Sequence, residues 1–570
     1  MRAWAVLGVV LLCGCQCEPR EPTPGGGRPI SSGPGMQPGG GGGAGADGGV
    51  DGGVCPGCSA DGLSVVDCAG NATRCASGLV CAVASCLSPC VAAVAEQSTL
   101  GCEFYAAAVP PQFETKGSCY AVIVANTRQR AVQLEVTRGT RTLDARDFAR
   151  RAVRQGSGEL TYEPLPTVGG KVSLPPGEMA LLFLAHSTLG DFPGRVLCPV
   201  EPAVSDAYQF DDGARFDAFV VKTTAPVAAW DLYPYGGATS HVTSASLLLP
   251  TSAWSTSYVA MTPAPNAYLQ IVAQEDRTVV QLKAPVAISS GPGLPGAAAG
   301  ALASWTLAKG EVAQVLQSAE LGGAFIRSSR PVAVFGGTPC MNKPLGTQAC
   351  DSAHQQLPPV AQLSHEYVGV RYPTRGADEE EALWRVVGVV DGTTLTWTPP
   401  VAGAPRTLAA GQQVEFAARG PFVVTAQDDE HVFGISQLMT GGWDFGGLGD
   451  PDWVLLVPPG QFLAKHLFFV DPTYTQTQLV FVRRAVNGRF APVSLDCGPT
   501  LSWHTVTPDT QYATLGWSLN LSSGCEAGVH SATSALPFGI TVWGLDSWTS
   551  YAWPSAMGTR KLNSVDAGVD

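Results

Sequence analysis

Charge is scarce in this sequence. Only 14% of its 570 residues are Asp, Glu, Lys or Arg, against about 25% in an average soluble protein. The balance is acidic, 34 Lys plus Arg against 47 Asp plus Glu, for a net charge of −13. A chain of this sign lacks the basic face that a phosphate backbone needs, which argues against a nucleic-acid partner. Histidine is also sparse, eight residues scattered singly. The chain holds no P-loop, no G-x-S-x-G and no H-E-x-x-H. His365-Glu366 comes nearest to the last of these, but Gly369 stands where the second His belongs. No catalytic residue is assigned, no cofactor is required, and the chain reads as a non-enzyme. After residue 15 no apolar run approaches 18 residues, so no second membrane anchor is expected.

Glycine, proline and β-branched residues are plentiful, with 67 Gly and 44 Pro, and 45% of the chain is hydrophobic. That composition disfavours long helices and supplies a large core. An all-β fold follows as the expectation.

The N-terminus gives an address. Met1-Arg2 is followed by an apolar run from Trp4 to Leu12, too short to span a bilayer and suited to a signal-peptide core. The run ends Leu11-Leu12-Cys13-Gly14-Cys15, which resembles the lipobox of bacterial lipoproteins. A small residue precedes the cut and a thiol follows it to take the lipid. The resemblance implies a signal peptide over 1–14, lipidation of Cys15 and attachment to the cell envelope, at the outer membrane because Gln16 rather than Asp follows Cys15. An ordinary secretory signal cut elsewhere is the alternative. Residues 15–54 then form a tether, with 15 glycines in the 29 residues from Gly25 to Gly53. Such a chain cannot bury a core, and its reach is roughly 35 Å.

Eight cysteines fall between Cys55 and Cys102. Cys55-Pro-Gly-Cys58 admits a zinc or redox reading, but no second C-x-x-C follows and the nearest His is His186. In an exported chain a disulfide-stapled module over 55–101 is the better reading. Spacing cannot choose among the 105 pairings of eight cysteines. Farther along, Cys340 and Cys350 enclose a short Pro- and Gly-containing loop and are candidates for a local bridge. Cys497 and Cys525 are candidates for a link between neighbouring strands.

From 102 to 557 the sequence repeats itself. A short apolar strand ends at proline in Ala106-Ala107-Ala108-Val109-Pro110, Leu247-Leu248-Leu249-Pro250, Gln356-Leu357-Pro358 and Leu456-Val457-Pro458. An Asp-led turn enters an alternating strand at Asp276, at Asp391 and, more loosely, at Asp496. A Gly-centred turn recurs at Gly177, Gly310 and Gly411. A closing strand recurs around Val227, Val332, Val432 and Phe538, at spacings of 105, 100 and 106. Four copies of about 100 residues imply an array, a ring or a propeller. Ser550-Tyr551-Ala552-Trp553-Pro554 resembles the opening strand of one further unit, which a closed ring would use to complete itself. A propeller-like ring is therefore preferred to four tandem β-sandwiches. The Arg-rich stretch from Arg128 to Arg154 reads as a solvated insertion, and 558–570 as a flexible C-terminal tail.

The stretch Arg330-Pro331-Val332-Ala333-Val334-Phe335, with Cys340, Cys350-Asp351 and Gln356-Leu357-Pro358-Pro359, resembles the N-terminal domain of the IgG Fc-binding protein family, and the likeness runs roughly from Cys102 to Trp553. It implies an extracellular, disulfide-bonded binding or adhesion module recognising a protein or glycan, and carries no catalytic residue. The alternative is a glycan-active enzyme or lectin on a β-propeller. Trp230, Tyr233, Tyr235, Trp254, Trp443 and Trp453 recur near unit junctions. They form either a binding surface or the packing between units. His354, beside Cys350, is the histidine to inspect first. Asp444, Asp450 and Asp452 lie in a Gly-rich stretch where carboxylates could take Ca²⁺, without the spacing of a known calcium loop. The run Asp378-Glu379-Glu380-Glu381 reads as a solvated loop, and Asp428-Asp429-Glu430 as a turn.

Overall fold

Period-two alternation sets the secondary structure. In Thr393–Thr398 the side chains of Thr393, Leu395 and Trp397 turn inward and the three threonines between and after them outward, as a pleated strand requires. The same alternation runs through Val132–Arg138 and Leu302–Leu307. The computed structural model describes residues 55–566 and 568, apart from 60, 156–158, 207, 237–238, 348–349, 378, 519–524 and 526. It is all-β, with 50% strand and 6% helix. The signal segment, Cys15 and the tether lie outside the described residues. No described helix is long and apolar enough to cross a membrane.

The cysteine-rich segment is small: three strands, Gly57–Cys58, Ser64–Val66 and Ala72–Arg74, a hairpin of Val80–Ala82 with Ser85–Leu87, and the helix Pro89–Glu96. Only Cys81, Ala82, Ala92 and Ala93 of its apolar residues are fully buried. Disulfides take over from a core this thin. They join Cys55–Cys68, Cys58–Cys81, Cys75–Cys86 and Cys90–Cys102. The last fastens the helix to the strand Gly101–Ala106.

A common pairing scheme runs through the rest. The long strand Phe219–Tyr233 bends through two sheets. Its first half pairs with Gly101–Ala106 and Val132–Arg138, its second with Tyr120–Ala125 and Ser244–Leu247. Phe325–Met341 does the same with Ser255–Val259 and Thr278–Lys283, then with Ala267–Ala273 and Asp351–Leu357. Gly528–Asp546 follows suit, ending against Gln476–Arg484 and Thr549–Pro554. Between these two, the work of one long strand is divided between Phe422–Ala426 and Phe433–Met439, the latter pairing with Asp452–Leu455.

Three of the proline-terminated motifs follow inner strands, Ser244–Leu247, Asp351–Leu357 and Asp452–Leu455, and the extra strand expected at Ser550–Pro554 supplies a fourth, Thr549–Pro554, whereas the motif at Ala106–Pro110 follows Gly101–Ala106, which is not one of them. The first packs against the second and fourth, and the third against those same two. After three of them the proline caps a single 3₁₀ turn, at Thr251–Ala253, Val360–Gln362 and Pro459–Gln461. Gln355 holds the four together. Its amide nitrogen, with two N–H groups to share, lies within hydrogen-bonding distance of the carbonyls of Ala245, Trp453 and Ala552, one on each of the other inner strands, at 2.9, 3.0 and 3.2 Å.

The other motifs also have a physical basis. Asp276 accepts from the backbone N–H of Lys309, and Asp391 from that of Ala410, so the Asp-led turn is tied to the Gly-centred one. Gly310 and Gly411 have φ of +78° and +71°, a left-handed conformation that favours glycine. Asp496 departs from this scheme. It accepts from the N–H of Ser531 instead, and the strand near it begins only at His504.

Two further expectations are corrected. The Arg128–Arg154 stretch is no insertion: it forms the strands Val132–Arg138 and Ala149–Arg154, and buries Val132, Leu134, Val136 and Phe148. Its arginines are half-buried or exposed, and Arg138, on the same face as Val132, Leu134 and Val136, stacks on the Phe219 ring. Residues 558–566 are not a free tail. Leu562 N–H donates to Ala361, the Asn563 amide to Val360 and Leu363, and Arg327 pairs with Asp566.

Replacing Gln355 by Leu keeps its bulk and removes the donor shared by three buried carbonyls. Loss of about 2 kcal/mol of stability is expected, read from the urea midpoint by tryptophan fluorescence. A shift under about 0.5 kcal/mol would show that the amide does not hold the strands.

Candidate functional site

The segments that lead into the inner strands meet at one end. Gly441 N–H donates to Lys343 O at 2.8 Å, Trp548 N–H to Gly447 O at 2.7 Å and Gly449 N–H to Asp546 O at 2.8 Å. His241 Nδ1 lies 3.2 Å from Ser547 O. Cys340 and Cys350 are joined, closing the loop that carries Leu345, and Cys497 is joined to Cys525. Gly447 accommodates the Trp548 ring, which a Cβ there would approach to 2.7 Å.

On this loop face Trp443 is 57% exposed and Leu345 69%. The Trp443 ring stands edge-on to Trp548, with centroids 5.0 Å apart. The 3₁₀ turn Gly442–Phe445 presents it. Beside it lies a cleft of about 660 Å³, lined by Leu345, Thr347, Trp443 and Phe445 and by the acidic groups Glu379, Glu381 and Asp444. Its wall is rigid. Arg375 and Glu380 are both buried and paired, Tyr372 donates to Glu380 at 2.6 Å, and Arg375 lies 4.1 Å from the Phe445 ring centroid. Glu380 therefore departs from the solvated-loop reading of its run, whereas Glu379 and Glu381 are exposed. At the other wall the buried Lys343 donates to Glu415 at 2.6 Å, as does Arg385 at 2.7 Å. Burial would raise the Glu415 carboxyl, but these two cations outweigh it and hold it below its usual range. A rigid wall of this kind keeps an exposed anchor in place.

The other five aromatic candidates are interior. Trp230, Tyr233, Tyr235, Trp254 and Trp453 are each 7% exposed or less. They pack between strands, and only Trp443 of the six presents a surface. Periodic aromatics look alike in sequence whether they face a neighbouring unit or solvent.

His354 is a buried linker. Its Nε2 donates to Asp231 at 3.2 Å, Tyr268 donates to its Nδ1 at 2.7 Å, and Phe335 stacks on the ring. Tyr120 donates to the same Asp231 oxygen at 2.9 Å. Burial, reinforced by the Asp231 charge, pushes the Tyr120 hydroxyl well above its ordinary range, so it stays a donor. The four groups are at most 1% exposed and have no route to a substrate. Asp496, Cys497 and His530 come within ligand spacing of one another, but Cys497 is consumed by its disulfide. Asp428 and Asp429 lie in an exposed turn, paired with His431 and His365. Asp444 is exposed, whereas Asp450 and Asp452 are buried.

The result is a disulfide-stapled all-β protein with an apolar, acid-rimmed loop face. Residues 244–544 match the family described as IgGFc binding protein, and the chain belongs to that family. The human IgGFc-binding protein is 26% identical over 269 residues, which cover 46% of this chain and 5% of that protein. The chain thus spans a small fraction of its relative's length. The match opens at the first inner strand and ends within the last long one.

Replacing Trp443 by Ala leaves stability within about 0.5 kcal/mol, whereas Trp453→Ala costs about 4 kcal/mol. Thermal denaturation of the two variants checks this. Equal losses would place Trp443 in the core.

Proposed function

We propose that the protein is a lipid-anchored binding protein of the bacterial cell envelope, tethered through Cys15, that captures an extracellular protein on its loop face. The exposed Trp443–Leu345 pair above the acid-rimmed cleft carries this reading. Aromatic anchors in a rigid setting concentrate binding energy, and Glu379, Glu381 and Asp444 favour a partner with basic groups flanking an apolar tip. Family membership supports a protein partner rather than a reaction. The name of the human relative makes immunoglobulin Fc one partner to try.

In the same reading, residues 102–557 form four units closed in a ring. Support comes from the mutual packing of the four inner strands and from a core shared by the two ends of the body. Phe468, Phe469, Trp553 and Met557 belong to the same hydrophobic cluster as Tyr105, Tyr120 and Trp230. Tandem sandwiches would keep those ends apart.

The full chain in detergent, immobilised by its C-terminus, is expected to bind a basic or Fc-bearing extracellular protein saturably. Trp443→Ala with Leu345→Ala should weaken binding by about thirtyfold. Unchanged affinity in the double variant, or capture of glycans alone, would defeat the proposal. Fatty-acid labelling tests the anchor: Cys15→Ala should abolish incorporation, and persistent label would place the lipid elsewhere.

A further inference from the structure

A second cleft shares no residue with the loop face and lies where the two ends of the body meet. Thr99 N–H donates to Met557 O at 3.0 Å, and Thr559 N–H to Gln97 O at 2.7 Å, so the segment after the helix Pro89–Glu96 is fastened to the end of the chain. Beside this junction is a cavity of about 350 Å³, within the roughly 300–1,000 Å³ of small-ligand pockets. Its lining is mostly apolar and includes Leu100, Ala228, Leu463 and Leu467. The strand Leu463–Val470 supplies two of these. It is an edge strand that pairs only with Gly528–Asp546, and a bulge between Leu463 and Lys465 lets Leu463, Ala464 and Lys465 all line the cleft. Leu100, Leu463 and Leu467 are half-buried, so the protein itself leaves part of each uncovered.

Two cations line the same cleft, Arg128 and Lys465, against one anion, Glu96. Arg128 reaches Glu96 only at 3.5 Å, beyond the usual length of a charge-assisted hydrogen bond. Its Nε has no hydrogen-bond partner among the described residues. Lys465 is exposed and makes no side-chain hydrogen bond or ion pair among them. The cleft thus carries surplus positive charge in a protein whose net charge is −13. Apolar lining beside a surplus cation is complementary to an amphiphile with an apolar body and one negative charge. The cavity is too small for a folded partner, and a bare phosphate or sulfate would leave its apolar part unmatched.

We propose that this cleft binds an aliphatic monocarboxylate, a fatty acid of medium chain length. The Arg128 and Lys465 charges draw its carboxylate, and its chain covers Leu100, Leu463 and Leu467. Leu100 precedes the first strand of the body and Leu467 lies near the other end of the chain, so a bound acid braces the junction between them. The site stands whether or not the loop face binds a protein.

The test uses the full chain in nanodiscs, with empty nanodiscs as the blank for partitioning, and ¹⁴C-decanoate in equilibrium dialysis. One saturable site per chain is expected, with a rise in melting temperature as decanoate is added. Decanol keeps the chain and lacks the charge, and should bind about tenfold more weakly. Lys465→Glu should weaken decanoate binding by about tenfold, and Ala464→Trp, which fills the cleft, should abolish it. Both changes fall on exposed side chains, so the melting temperature without ligand should stay put. Trp443→Ala, on the loop face, should leave decanoate binding unchanged, which separates failure of this site from failure of the proposed protein-binding role. No binding above the blank, equal affinity for decanol, undiminished binding in both cleft variants, or loss of binding in Trp443→Ala overturns the proposal.

Discussion

One side-chain amide serves three strands at once. Gln355 lies on an inner strand, with its amide nitrogen within hydrogen-bonding distance of a carbonyl on each of the other three. It links these strands where they pack on one another without pairing edge to edge. Carbonyls directed inward would be buried without donors, which costs about as much as a lost hydrogen bond each. A carboxylate at this position could not donate and an aliphatic side chain could satisfy nothing. Below Gln355, toward the proline-terminated ends of the strands, the lining turns apolar, with Leu247, Leu249, Ile435 and Leu455 around a cavity of only about 30 Å³. Polar convergence and apolar filling thus follow one another along the same four strands.

Other polar groups of the interior work in the same way at the joints. Asp231, His354, Tyr120 and Tyr268 join strands from two different sheets. His466 joins the strand Leu463–Val470 to the last long strand through Phe538 O, and to the end of the chain's final strand through Ser555. Burial pushes this imidazole down to about 4, so it acts as a neutral hydrogen-bonding group. These networks are inaccessible to solvent, and within them Asp231 Oδ1 finds no hydrogen-bond partner among the described residues.

How much of this was legible in the sequence depended on whether a residue's role was local. The all-β class was readable from alternation, and the Gly-centred turns from φ-permissive residues at fixed intervals. Three of the four proline-terminated motifs marked inner strands, each ending where a proline caps a 3₁₀ turn. Tertiary facts were hidden. Val132, Leu134 and Val136 alternate with Gln133, Glu135 and Thr137, and the arginines on either side masked a core strand. Glu380 sits in an acidic run and looks solvated, yet Arg375, five residues earlier, buries it. Trp453 and Trp443 are ten residues apart with similar glycine-rich neighbours, but one lies on a strand and the other on a turn. All four residues of the Trp453 strand are buried, and nothing local in the sequence decides either tryptophan.

The extent of the family match bears on where function resides. It begins with the inner strand at Ser244 and ends at Gly544, so it includes the loops bearing Leu345 and Trp443 and excludes the cysteine-rich segment and the first long strand. Whatever the family holds in common is therefore contained in the part of the body that presents the loop face. Strand pairing accounts for most of that span, since the inner strands and their long partners must keep register for any copy to pack. The loops are under no such constraint. Leu345 hangs from a loop closed by Cys340–Cys350, and Trp443 from a single 3₁₀ turn braced by Asp450. A regular scaffold with its exposed apolar groups lifted onto braced loops at one end is the placement on which the proposed binding role rests.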